Sequence, residues 1–133
     1  MLRLHVSSCV LDASALLAVI GCETGWENVV EHLPNALICS VNLSEVAAKL
    51  AEREGLTIDD IHLRLSQYEL RVIPFDERLA YAAAALRPTT RQAGLSLGDR
   101  ACLATAEACN LPALTAERAW KQLDLGIQVT VIR

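Results

Sequence analysis

Apolar residues in this chain fall in short continuous runs separated by longer stretches of helical period. Residues 8–12, Ser-Cys-Val-Leu-Asp, read as a short buried strand that is apolar until it stops at an acid. Residues 14–20 then take a helical pattern, and residues 23–33 predict a second amphipathic helix before Pro34. Residues 36–39, Ala-Leu-Ile-Cys, form a second strand. The clearest helix spans 42–54, with Leu43, Val46, Ala47, Leu50 and Ala51 on one face and Gly55 closing it. A further helix covers 58–68 behind a capping-box pattern of Thr57 and Asp60. Strand 70–75 follows, and Asp76 caps a helix running to Leu86. A polar loop spans 88–94, a helix 97–109 and a strand 112–115. The chain closes with a helix over 116–123 and a strand over 127–132.

Strands alternating with helical stretches predict an α/β fold, a three-layer α/β/α sandwich with a mostly parallel central sheet. The pattern does not give the strand order. At 133 residues the chain suits one domain with a real core, residues 1–133, without repeat or linker. Hydrophobic residues make up 53%, yet no apolar run reaches the roughly 18 residues of a membrane span. The start, Met1-Leu-Arg-Leu-His-Val-Ser-Ser, lacks the long apolar centre of a secretory leader, so a cytoplasmic protein is expected.

Cysteine usage fits a reducing compartment. Cys9, Cys22, Cys39, Cys102 and Cys109 are odd in number, form no CxxC pair and mostly sit in apolar stretches. A zinc site drawing on His5, His32 or His62 lacks ligand spacing.

Candidate chemistry lies in four acids distant in sequence: Asp12, Glu45, Asp99 and Glu117. Each stands where a helix is expected to begin, and three follow closely on a strand. In a parallel sheet such turns gather at one edge, where active sites form. A pocket of carboxylates needs a counter-charge, and oxygen donors favour a hard cation such as magnesium or manganese. Each acid also has a plainer explanation. Asn42-Leu-Ser-Glu45 and Ser96-Leu-Gly-Asp99 both have capping-box spacing, Glu117 suits a first helical turn, and Asp12 is a good N-cap. Asp59, Asp60, Asp76 and Glu77 occupy helix starts as well, so position alone does not select the four. Net charge is −4; setting the four aside leaves twelve acids against twelve bases. That balance permits a nucleic-acid substrate without arguing for one.

The blocks Val10-Leu-Asp-Ala-Ser-Ala15, Asn42-Leu-Ser-Glu-Val46, Leu95-Ser-Leu-Gly-Asp-Arg-Ala-Cys102 and Leu114-Thr-Ala-Glu-Arg-Ala-Trp120 occur in an order that resembles PIN-domain ribonucleases. The resemblance is to the toxin component of VapBC-type toxin–antitoxin pairs in particular. It covers nearly the whole chain, and the Leu-Ser-Leu-Gly-Asp-Arg block is its most specific part. It implies a PIN-like fold with Asp12, Glu45 and Asp99 as metal-site acids. The family's fourth acid, usually Asp in a Thr-x-Asp arrangement, falls on Glu117, one methylene longer. Ser14 and Thr115 match the small hydroxyl residues that support such a site. The implied activity is hydrolysis of RNA phosphodiester bonds with one or two Mg²⁺ or Mn²⁺ ions, leaving 5′-phosphate and 3′-hydroxyl ends. Lys49, Arg100 and Arg118, close to the acids in sequence, are candidate contacts to RNA, against solvated ion pairing as the plainer account. The resemblance further implies a homodimer and a cognate antitoxin over the active face. Trp26, Leu63, Tyr68 and the helix at 81–86 carry apolar surface for a partner, or simply core. Two alternatives stand beside this: an RNA-processing nuclease of the same fold without an antitoxin, and a non-catalytic interaction domain whose acids only cap helices.

Overall fold

The computed structural model describes residues 6–133; His5 and the four residues before it lie outside the described residues. Five short strands, β1 (Val10–Leu11), β2 (Leu37–Cys39), β3 (Arg71–Ile73), β4 (Ala113–Thr115) and β5 (Val129–Val131), form one sheet in the order β3-β2-β1-β4-β5. Every neighbouring pair is parallel, with Val10 opposite Leu37 on one side and Ala113 on the other.

Alternation along the strands sorts the core into two layers. Leu11, Ile38 and Leu114 point to one face, where they pack with residues of α1 (Ala13–Ile20), α3 (Ser40–Glu54) and α4 (Ile58–Ser66). Val10, Leu37 and Ala113 point to the other, against Cys102, Leu103 and Ala106 of α7 (Leu97–Cys109) and Trp120. α5 (Glu77–Ala85) packs outside α7 through Leu79, Ala83 and Ala104. Crossover handedness explains the division. The chain steps outward from β1 through β2 to β3, then returns past β1 to β4 and β5. Right-handed connections in opposite directions place their helices on opposite faces. The reversal falls between β1 and β4, so the ends of those strands diverge into a crevice at the switch point.

Several element boundaries differ from the sequence expectation. The helix expected over 23–33 shrinks to α2 (Glu27–Val30), because Gly25 takes a φ of +92° that breaks the helical path. α3 begins at Ser40, two residues early. The polar loop expected over 88–94 contains the helical turn α6 (Arg87–Thr90), with Pro88 in its first turn and Thr90 fully buried. Proline suits that place because the first helical N–H groups have no intrahelical acceptor. The helix expected over 116–123 is a 3₁₀ segment, Arg118–Gln122. Helix 97–109 matches its expected limits.

Apolar surface is distributed as follows. Leu63 and Tyr81 are exposed, whereas Trp26 and Tyr68 pack partly buried against the core. Among the described residues no helix is long and apolar enough to cross a membrane. All five cysteines are free: Cys9, Cys39 and Cys102 are buried, Cys109 is half-buried and Cys22 is exposed.

Candidate active site

Asp12 immediately follows β1 and is only 3% exposed. It occupies the N-cap position of α1, but its side chain makes no capping bond. Instead its carboxylate turns across the crevice. Ser14 Oγ donates to Asp12 Oδ2 at 2.6 Å and Thr115 Oγ1, from the end of β4, donates to the same oxygen at 2.9 Å. The two hydroxyls lie 3.2 Å apart. Each is in turn an acceptor, Ser14 from the Ala116 N–H at 2.9 Å and Thr115 from the Glu117 N–H at 3.0 Å. Backbone N–H, hydroxyl and carboxylate form two chains that polarise toward one oxygen.

These bonds do not offset what burial costs. Desolvation pushes the Asp12 carboxyl up from 3.8 to about 6, against the lowering effect of Ser14 and Thr115. The Asp99 and Glu45 carboxylates raise it further, which places both within electrostatic reach. The same negative charge is felt beneath the site. The fully buried Cys102 thiol is raised well above its ordinary value, first by burial and then by Asp12.

Glu45 does not cap a helix. Because α3 starts at Ser40, Asn42 lies inside the first turn and Glu45 one turn further, so the capping-box reading of Asn42 and Glu45 fails. The fully buried Asn42 amide donates to Glu45 Oε1 at 3.1 Å and to the Gly98 carbonyl at 2.9 Å. Gly98 lets Glu45 come close: a Cβ there would stand 2.2 Å from Glu45 Oε1. Sequence reasoning missed Gly98 as part of the site. Its signal was a glycine within a helix, where it costs about 1 kcal/mol relative to alanine and so implies a close approach.

Asp99 fulfils the capping expectation. The capping box is complete, with the Ser96 N–H donating to Asp99 Oδ2 at 2.9 Å and the Asp99 N–H to Ser96 Oγ at 3.1 Å. It also belongs to the acidic group through its effect on Asp12. Glu117 stands apart: its side chain is exposed, two residues beyond Thr115. Asp76 is distinguished from the group by its bond, for its Oδ1 accepts from the Leu79 N–H at 3.0 Å.

The cations are placed differently from one another. Lys49 and Arg118 are exposed. Arg100 is half-buried and turned toward α5, where Nη1 donates to the Ala83 carbonyl at 3.1 Å.

Among the described residues no three His, Cys, Asp or Glu side chains stand close enough to enclose a metal ion. The donor chemistry nonetheless suits a hard divalent cation. The bonds described engage Asp12 Oδ2, Glu45 Oε1 and Asp99 Oδ2, and use none of Asp12 Oδ1, Glu45 Oε2 or Asp99 Oδ1. Oxygen donors around a carboxyl whose charge is disfavoured are what Mg²⁺ or Mn²⁺ would stabilise.

Fold and site together define a parallel α/β domain with an acidic centre at its switch point. The PIN domain family model matches residues 9–125, and the chain belongs to that nuclease family. Solved structures agree in fold. A toxin–antitoxin complex from Klebsiella pneumoniae aligns with a TM-score of 0.71 at 20% identity, over 95% of this chain and 98% of that one. VapBC2 from Rickettsia felis, bound to a DNA fragment from its promoter, gives 0.71 at 17% identity over 94% and 98%. VapBC-5 from Mycobacterium tuberculosis gives 0.60 at 23% identity over 96% and 99%. No curated protein sequence matches the chain at a significant level.

Proposed function

We propose that this protein is a metal-dependent endoribonuclease and the toxin of a toxin–antitoxin pair, acting in the cytoplasm. The observation that carries the reading is the placement of three acids on three different crossovers: Asp12 is buried and held by Ser14 and Thr115, while Asn42 holds Glu45 against Gly98, the residue before Asp99. The proteins similar in fold along nearly their whole length are described as toxin–antitoxin complexes, which supports a cognate antitoxin as partner. A homodimer is proposed with it.

In this reading Asp12, Glu45 and Asp99 hold one or two Mg²⁺ or Mn²⁺ ions. A bound divalent cation neutralises phosphate charge and makes water acidic enough to attack phosphorus. Ser14 and Thr115 fix Asp12 by bonding one of its oxygens, leaving the other for a ligand. Glu117, exposed beside Thr115, accepts a proton from the attacking water or orients it as the fourth acid. Water adds to phosphorus as the bond to the 3′-oxygen breaks, giving 5′-phosphate and 3′-hydroxyl ends. Lys49 and Arg118 are free to meet the RNA backbone; Arg100 would have to leave Ala83 to do so.

Purified protein should cleave RNA with Mg²⁺ or Mn²⁺, stop with EDTA, and lose at least 100-fold in rate, roughly 3 kcal/mol of barrier, in Asp12→Asn and Asp99→Asn. Wild-type rates in both variants would refute the assignment. Growth arrest on expression, relieved by a small neighbouring reading frame, would separate a toxin from a processing nuclease.

A further inference from the structure

Asn42 has a role that helix formation does not account for. Asparagine is a mediocre helix former, and a fully buried one leaves a polar group in the core. Its Nδ2 bridges two acceptors on different helices, Glu45 Oε1 in α3 and the Gly98 carbonyl in the first turn of α7. Its Oδ1 is buried without a hydrogen-bond partner. Both partners of Nδ2 are acceptors, so the orientation of the amide is fixed by chemistry. An unsatisfied buried oxygen is a cost to stability, which an apolar side chain of the same size would avoid. The bridge itself is therefore the feature that distinguishes Asn42 from such a side chain.

The bridge ties an acid to the backbone next to another acid. Gly98 directly precedes Asp99, and the Glu45 carboxylate lies against the Gly98 Cα with no room for a Cβ. Asn42 holds Glu45 from one side while Gly98 admits it from the other. Neither residue needs to touch a substrate or an ion for this.

We infer that Asn42 is a positioning residue, which with Gly98 sets the separation of Glu45 and Asp99 and so the site's capacity to hold a divalent cation. This rests on the metal-dependent reading above. Groups that orient ligand side chains typically contribute about 10–100-fold to metal affinity or activity.

The test uses the metal-stripped full chain and Mn²⁺ titrated by calorimetry, alongside RNA cleavage. Asn42→Leu keeps the branching and heavy-atom count of the side chain and removes the bridge. Gly98→Ala approaches from the other side: only the end of the flexible Glu45 side chain has to move, and alanine suits the helix better than glycine. Both variants should lose at least tenfold in Mn²⁺ affinity. In both, kcat should fall while KM for RNA holds. Gly98→Ala should melt no lower than wild type, so it remains decisive even if Asn42→Leu fails to fold. A folded variant that binds Mn²⁺ within twofold of wild type overturns the inference, as does a lower melting point with unchanged Mn²⁺ affinity. If Asp12→Asn abolishes Mn²⁺ binding while Asn42→Leu and Gly98→Ala retain it, the inference alone fails. If wild type binds no Mn²⁺, the metal-dependent reading falls and takes the inference with it.

Discussion

Thr115 Oγ1 donates to Asp12 Oδ2 at 2.9 Å, joining the ends of two strands that are neighbours in the sheet and 103 residues apart in the chain. The bond crosses the point where strand order reverses. It secures the carboxylate whose charge the fold disfavours, and the same hydroxyl receives the Glu117 N–H. Thr115→Val, nearly isosteric, removes both functions. A hydrogen bond to a charged group contributes about 1.5–3 kcal/mol, so urea denaturation at pH 7.5 should show a loss in that range. Thr115→Ser should recover most of it. Equal stability of the valine and threonine proteins would show that the bond contributes nothing.

The raised Asp12 carboxyl gives a pH dependence of definite sign. Folded, this group binds its proton up to about pH 6; unfolded, only to about pH 4. The folded state therefore holds more protons between those values, and stability falls as pH rises through that window, then levels above it. The difference corresponds to roughly 3 kcal/mol at most. Asp12→Asn removes the titrating group. With EDTA present, its stability relative to wild type should improve by about 1–3 kcal/mol between pH 4.5 and 7.5. Adding Mn²⁺ at pH 7.5 should stabilise wild type and leave Asp12→Asn unchanged. A relative stability independent of pH would mean that Asp12 is not the buried acid described.

How far the sequence reveals this site varies residue by residue. Asp12 was legible because a charge ending an apolar run must be paired. Asp99 was legible as a cap, which it is, and it is proposed as a site acid on the strength of the motif. Glu45 was readable only through the motif. Its capping pattern misled because α3 starts at Ser40, where the Phe75 N–H donates to Ser40 Oγ from beyond β3, a tertiary contact invisible to local spacing. The crossover pattern predicted a parallel sheet, but strand order depends on which elements pack across the core. Gly98 and Asn42 work as a pair 56 residues apart, which no local window contains.

The basic residues near the acids should separate into two kinds. Arg100 donates to a carbonyl in the last turn of α5, where a cation also meets the negative end of the helix. Arg100→Met should lower stability by about 1–3 kcal/mol, seen as a reduced urea midpoint. Lys49 and Arg118 are exposed, so Lys49→Ala and Arg118→Ala should leave the midpoint within about 0.5 kcal/mol of wild type. Each should weaken RNA binding and make its affinity less steeply dependent on salt, as loss of a phosphate contact does. An unchanged salt slope in both would remove them from the substrate path.

Two glycines with left-handed backbone should respond to alanine very differently. Gly25, at φ +92°, lies against the segment after β5, and a Cβ there would meet the Ile132 carbonyl oxygen at 2.3 Å. Backbone cannot yield as a side-chain end can, and Asn28 Nδ2 donates to the same carbonyl at 3.0 Å. Gly25→Ala should therefore cost roughly 3 kcal/mol or more, through strain and displacement of the segment after β5. Gly55, at φ +65°, ends α3, and a Cβ there would meet nothing within 4 Å. Its alanine variant carries only the left-handed penalty, about 1–2 kcal/mol. Urea denaturation of both at one pH compares them directly. A larger loss at Gly55 than at Gly25 would contradict the packing of the C-terminal segment against the loop before α2.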